Sequence, residues 1–101
     1  MVLLLLDGMG KCILDGNLEP DGFFASHLAG TYSAVFPPTT VAATTSICSG
    51  LYPVEHCWLG WDCYYPKIDK TVTVFLNREA GTTKPAADYP VAKTLCPYQS
   101  L

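Results

Sequence analysis

The hydrophobic pattern changes several times along the chain. Residues 2–6, "VLLLL", form a continuous apolar run that stops at "DGMG". The run is too short for a helix and shows no polar alternation, which predicts a strand buried on both faces, as in a parallel sheet. Gly8 and Gly10 make the turn out of it. Residues 11–14 begin a helix, and Asp15-Gly16 interrupts or ends it. Residues 21–28, "DGFFASHL", predict a second helical piece with Asp21 as N-cap and Gly30 closing it. Residues 31–36, "TYSAVF", alternate as a second strand, which Pro37 and Pro38 end. Thr40–Ser49 reads as a helix, with Gly50 as the left-handed residue beyond its end. Residues 51–61 read as an aromatic-rich loop. Residues 61–65 and 72–75 are strand candidates around the turn-prone "PKIDK". From residue 78 the chain turns polar and turn-rich, and residues 91–101 carry no clear stop signal.

Strand, helix, strand, helix, strand is the order of an α/β fold, with a mostly parallel sheet flanked by crossover helices. In such sheets ligands gather beyond the carboxyl ends of the strands. Asp7 follows the first predicted strand, and Thr39 and Thr40 follow the second. If those strands are neighbours, the carboxylate and the hydroxyls share one edge.

Composition narrows the function classes. The chain has 101 residues, half of them apolar, 15% charged, with a formal net charge of -3 and no basic cluster. Binding a nucleic-acid backbone through a basic face is therefore not expected. "MVLLLL" lacks a basic leader and is cut short by Asp7, so it does not read as a signal peptide. No stretch approaches a membrane span. The five cysteines are odd in number and irregularly spaced. That favours reduced thiols and a cytoplasmic location over a stapled secreted scaffold.

Asp7 and the two threonines carry the candidate chemistry. A carboxylate at the end of a buried strand needs a partner, a hydrogen bond or a metal. As a turn residue Asp7 would cap its own loop; as a hard oxygen donor it suits Zn²⁺, Mn²⁺ or Mg²⁺. Thr40 reads either as an N-cap, worth ~1 kcal/mol, or as a nucleophile. Two threonines exceed what one cap needs. The helix dipole contributes only about 0.3–1 kcal/mol to a charge at that end. An attacking hydroxyl therefore needs a base or a bound cation to activate it.

"VLLLLDGMG" followed by "GTYSAVFPPTTVAATTSICSGLYPVEHCWLGW" resembles the alkaline phosphatase superfamily, in its type I phosphodiesterase/nucleotide pyrophosphatase-like branch. The resemblance spans residues 2–77. It implies metal-dependent hydrolysis of phosphate esters, diester, pyrophosphate or monoester, with two divalent cations, zinc or manganese. By position Asp7 is a metal ligand. Thr40 is the nucleophile and touches the same cation, with Thr39 as second choice. A phosphothreonine formed on Thr40 is then hydrolysed. Two positions differ from the family pattern: Cys57 stands where the family usually has glycine, and Ala43 where phosphodiesterase relatives often have asparagine. The family's other ligands lie far downstream. The resemblance thus implies that residues 1–101 are the N-terminal portion of a single alkaline phosphatase-like catalytic domain, inactive in isolation, acting on a phosphorylated small molecule.

Two other readings stand beside it. Gly8, Gly10 and the start of the Thr40 helix could hold an anion without chemistry. His56, Cys57, Cys63 and Cys96 could form a small structural zinc module, although no C-x-x-C pair is present. His27 reads as a structural helix residue, and His56 as a loop-structure residue near the substrate side.

Overall fold

The computed structural model describes residues 2–101. The chain divides into two compact units, Met1–Ser33 and Ala34–Leu101. The first unit carries helices α1 (Lys11–Asn17) and α2 (Phe23–Ser26). The second carries α3 (Thr40–Ser49), α4 (Pro53–His56), strands β1 (Asp62–Tyr65) and β2 (Lys70–Thr73), a 3₁₀ turn at Val74–Leu76, strand β3 (Arg78–Glu79) and helix α5 (Val91–Leu95).

The sheet corrects the expected mostly parallel architecture. It has three strands in the order β1-β2-β3, and both pairings are antiparallel. Connection length explains the sense. Residues 66–69 join β1 to β2, and residues 74–77 join β2 to β3. A parallel pairing needs a crossover of a dozen or more residues, which neither link supplies. In the β1–β2 hairpin Asp62 faces Thr73 and Tyr65 faces Lys70. Thr73 Oγ1 donates to Asp62 Oδ1 at 2.5 Å, and Tyr64 Oη donates to Asp69 Oδ1 at 2.7 Å across the turn. The latter bond holds the Tyr64 phenol above its ordinary pKa.

Neither of the two early strands forms. Residues 2–6 take no regular structure, and their side chains are exposed, from 94% at Val2 to 46% at Leu6. Residues 31–36 are likewise irregular and mostly exposed, Tyr32 at 95%. A strand is completed by its neighbour's backbone groups, and among the described residues neither segment pairs with another.

The helices of the first unit also shift. α1 runs through Asp15-Gly16 and ends at Asn17, with the Leu18 N–H donating to the Leu14 carbonyl. A Lys11–Asp15 ion pair one turn apart lies along its solvent face. α2 is shorter than expected, and its N-cap is Gly22 rather than Asp21. His27 follows its last turn, stacked on Phe23 with ring centroids 4.5 Å apart. Neither helix buries a residue.

The core lies within the second unit. Val41, Trp58, Tyr65, Val72, Val74, Ala86, Val91 and Ala92 form one buried cluster. On α3, Val41, Ala42, Thr45 and Ser49 are buried, a stripe at helical spacing that points one face inward. β2 contributes Val72, and α5 contributes Val91 and Ala92. Asn77 joins these layers. It takes a left-handed conformation (φ 51°). Its Nδ2 donates to the Tyr89 carbonyl at 2.8 Å, and its Oδ1 accepts from the Val91 N–H at 2.9 Å. All five cysteines are free thiols. Among the described residues, no helix is long and apolar enough to cross a membrane.

Candidate active site at the start of helix α3

α3 has the bounds expected from its sequence, Thr40–Ser49, and Gly50 ends it in the left-handed conformation (φ 71°). The cap at its start is Thr39. That residue is extended, and its Oγ1 accepts the Ala42 N–H at 3.2 Å. The same hydroxyl donates to the Leu59 carbonyl at 2.8 Å. Thr39 thus uses its proton and a lone pair to hold the helix start against the loop after α4. The N-cap reading entertained for Thr40 is corrected: Thr40 is the first helical residue, exposed, at the end where the backbone amides and the dipole favour negative charge. Of the two threonines, Thr39 is the N-cap and Thr40 the first residue of the helix proper.

Pro37 and Pro38 set the approach to this helix. The Phe36–Pro37 peptide is cis, and the Thr39 N–H donates to the Pro37 carbonyl at 2.9 Å. A tight turn therefore delivers the chain into the cap. Proline has no N–H to donate to a ladder and a fixed φ, so this entry cannot continue a central strand.

Asp7 stands in a turn with Gly8, whose φ of +69° favours glycine. It is exposed and belongs to the first unit, whereas Thr39 and Thr40 belong to the second. Its carboxylate and the Thr40 hydroxyl are hard oxygen donors, a fit in kind for Zn²⁺, Mn²⁺ or Mg²⁺. Among the described residues, no group of three or more His, Cys, Asp or Glu side chains could hold a metal ion.

His56 has a structural place. It closes α4, whose first turn is secured by Glu55 reaching back to the Tyr52 N–H at 2.7 Å. The imidazole is buried, only 1% exposed. Its Nδ1 accepts the Trp58 N–H at 3.0 Å, and its Nε2 lies 3.0 Å from Ser46 Oγ on α3. An amide can only donate, so Nδ1 is the unprotonated nitrogen of a neutral ring and Nε2–H faces Ser46. Burial lowers the His56 pKa, opposed by a backbone hydrogen bond with Ala42 and by the Glu55 charge. Both ring nitrogens are occupied, which removes His56 from the zinc set imagined with Cys57, Cys63 and Cys96.

Ser46 is not singled out by the sequence reading. A serine two turns into an otherwise small and apolar helix, followed by a histidine in the next short helix, is the available signal. Cys57 shows why glycine suits its position. It follows His56 at φ 59°, in the left-handed region, and its N–H donates to the Pro53 carbonyl at 2.8 Å. Compared with known protein families, with curated proteins and with solved structures, the chain shows no match.

Proposed function

We propose that this chain supplies the nucleophile of a metal-dependent phosphohydrolase that cleaves phosphate esters of small molecules. The observation that carries the reading is the place of Thr40, the exposed first residue of a ten-residue helix. Thr39 caps that helix and ties it to the loop after α4, and Thr40 stands beside it where the backbone amides of the first turn gather. The sequence likeness to the alkaline phosphatase superfamily points to the same residue.

In this reading Thr40 Oγ1 attacks phosphorus, the ester oxygen leaves, and the phosphoryl group resides on Thr40 until water removes it. The start of α3 favours the negative charge of the bound phosphoryl group. Asp7 and Thr40 are the residues of this chain that would hold a divalent cation, zinc or manganese. When bound, the cation lowers the pKa of the attacking oxygen and offsets charge on the phosphoryl oxygens. The remaining ligands come from outside these residues, in a longer enzyme of which this is the N-terminal portion. A reducing, cytoplasmic setting accompanies this reading on the strength of the cysteine pattern.

The test is Thr40→Ala in the full protein carrying this chain, assayed with zinc or manganese on an aryl phosphodiester, an aryl phosphomonoester and a nucleotide pyrophosphate. Turnover should fall by at least about 10³-fold on the preferred substrate, the scale on which loss of a nucleophile is felt. Acid-quenched wild-type protein should carry phosphate on the peptide containing Thr40. Near-normal turnover by the variant would reject the assignment. Tight phosphate binding in the presence of a chelator, without turnover, would instead favour an anion-binding module.

A further inference from the structure

The backbone after α4 carries two ties on neighbouring residues. The Trp58 N–H donates to His56 Nδ1 at 3.0 Å. The Leu59 carbonyl accepts the Thr39 hydroxyl at 2.8 Å. That hydroxyl in turn accepts the Ala42 N–H, in the first turn of α3, at 3.2 Å. One ring nitrogen on α4 is thus linked through a short run of loop to the start of α3. The ring is buried, with Nε2 3.0 Å from Ser46 Oγ. Between His56 and Trp58 stands Cys57 at φ 59°, a region that residues other than glycine seldom occupy. The closed loop is therefore held against its local preference.

We propose that His56 is a protonation latch: neutral, it holds the backbone of residues 57–59 on the start of α3, and protonated, it lets that backbone go. The reason lies in the bond at Nδ1. An amide N–H only donates, and Nδ1 accepts it only while unprotonated. A proton placed there turns the acceptor into a second donor facing the Trp58 N–H, so proton uptake requires the amide to move away. Leu59 follows in the chain, and the hold of its carbonyl on Thr39 slackens. The Trp58 indole is fixed separately, donating to the Cys96 carbonyl at 2.9 Å, which keeps the release local.

The groups around the ring set when it opens. α3 is the element most closely packed against α4. It faces the ring with the Ser46 hydroxyl and the Ala42 backbone, and its ten residues include no carboxylate or cation, only the thiol of Cys48. Glu55 on α4 is the charge beside the ring, and it favours protonation. The Cys57 thiol comes next in the chain, and thiols stay neutral in the acidic range. Burial opposes protonation and outweighs Glu55, so the latch is shut at neutral pH. It does not rest on the phosphohydrolase reading and needs no substrate for its test.

That test is residue-resolved hydrogen–deuterium exchange of the full chain from pH 7.5 to pH 5, with His56→Gln as reference. Glutamine keeps an acceptor for the Trp58 N–H and a donor for Ser46 but takes up no proton. Dividing the Trp58 amide rate of the wild type by that of the variant at the same pH removes the intrinsic pH dependence of exchange. The ratio should be flat above pH 6.5, the ordinary value for a released ring. Below that it should rise by about tenfold per pH unit, the mark of one proton taken up on opening. The amides of β2, in the core, should keep their protection over the same range. If the variant fails to fold, the wild-type comparison decides alone: Trp58 losing protection while β2 retains it supports the latch. A ratio that stays flat to pH 5, or Trp58 and β2 losing protection together, would overturn it.

Discussion

Thr39 serves two parts of the fold through a single hydroxyl. It accepts from the first turn of α3 and donates to the loop after α4. Alanine at this position removes the cap, worth ~1 kcal/mol, and the Leu59 bond, worth about 0.5–1.5 kcal/mol. Thr39→Ala should therefore lower unfolding free energy by about 2 kcal/mol in urea titrations, whereas Thr39→Ser should restore most of it. The pair also marks what can be read from residue types. The "PPTT" stretch announces a helix start, and the stretch shows that two hydroxyls exceed one cap. Which threonine caps depends on where the first helical φ falls, and that is set by the turn at Pro37 and Pro38. The assignment of the cap therefore emerges only with the backbone.

Between elements, His56 on α4 and Ser46 on α3 are joined by a hydrogen bond of 3.0 Å. Buried and neutral, His56 couples stability to pH. Burial places its folded-state pKa below the ordinary value of 6.5. Above that value neither state carries the extra proton, and the contribution is complete. As pH falls below it, the unfolded chain binds a proton that the folded chain does not, so stability declines until the folded-state pKa is reached. The slope attributable to one such group is at most about 1.4 kcal/mol per pH unit. Urea midpoints measured from pH 7.5 down to pH 5 should decrease, and His56→Gln should flatten that dependence. Elements whose signals are local were legible from sequence: α3 with its glycine end, and the two strands on either side of the turn at residues 66–69, the second lying at Lys70–Thr73 rather than 72–75. The early strands were not. An apolar run such as residues 2–6 states a tendency to avoid water, and only a neighbouring strand can turn that tendency into a ladder. The antiparallel sense was also missed, though the short links around β2 contained it. β3, two residues long, has no periodicity to read.

At the scale of the molecule, burial is uneven. Every buried residue named in the core belongs to Ala34–Leu101. In the first unit, Leu14, Leu18, Phe24 and Leu28 line a groove of about 400 Å³ between α1 and α2. The exposed run at residues 2–6 adds further apolar surface. Surfaces of this kind favour association. The isolated chain should bind a hydrophobic dye and elute as growing oligomers as concentration rises, in light scattering coupled to gel filtration. A sharp, reversible melt as a monomer would contradict this expectation. Asn77 gives the second unit a different property. By holding Tyr89 and Val91 with its side chain and Ala86 with its carbonyl, it fastens both ends of the polar stretch between them. A second clasp, the Glu79 N–H donating to the Lys84 carbonyl at 2.9 Å, closes the stretch again just below its tip at Gly81 and the exposed Thr82. Doubling the length of such a closed loop costs only about 0.6 kcal/mol. The tip is thus a natural graft point, where a foreign peptide could be displayed while the clasp keeps the rest of the unit in register.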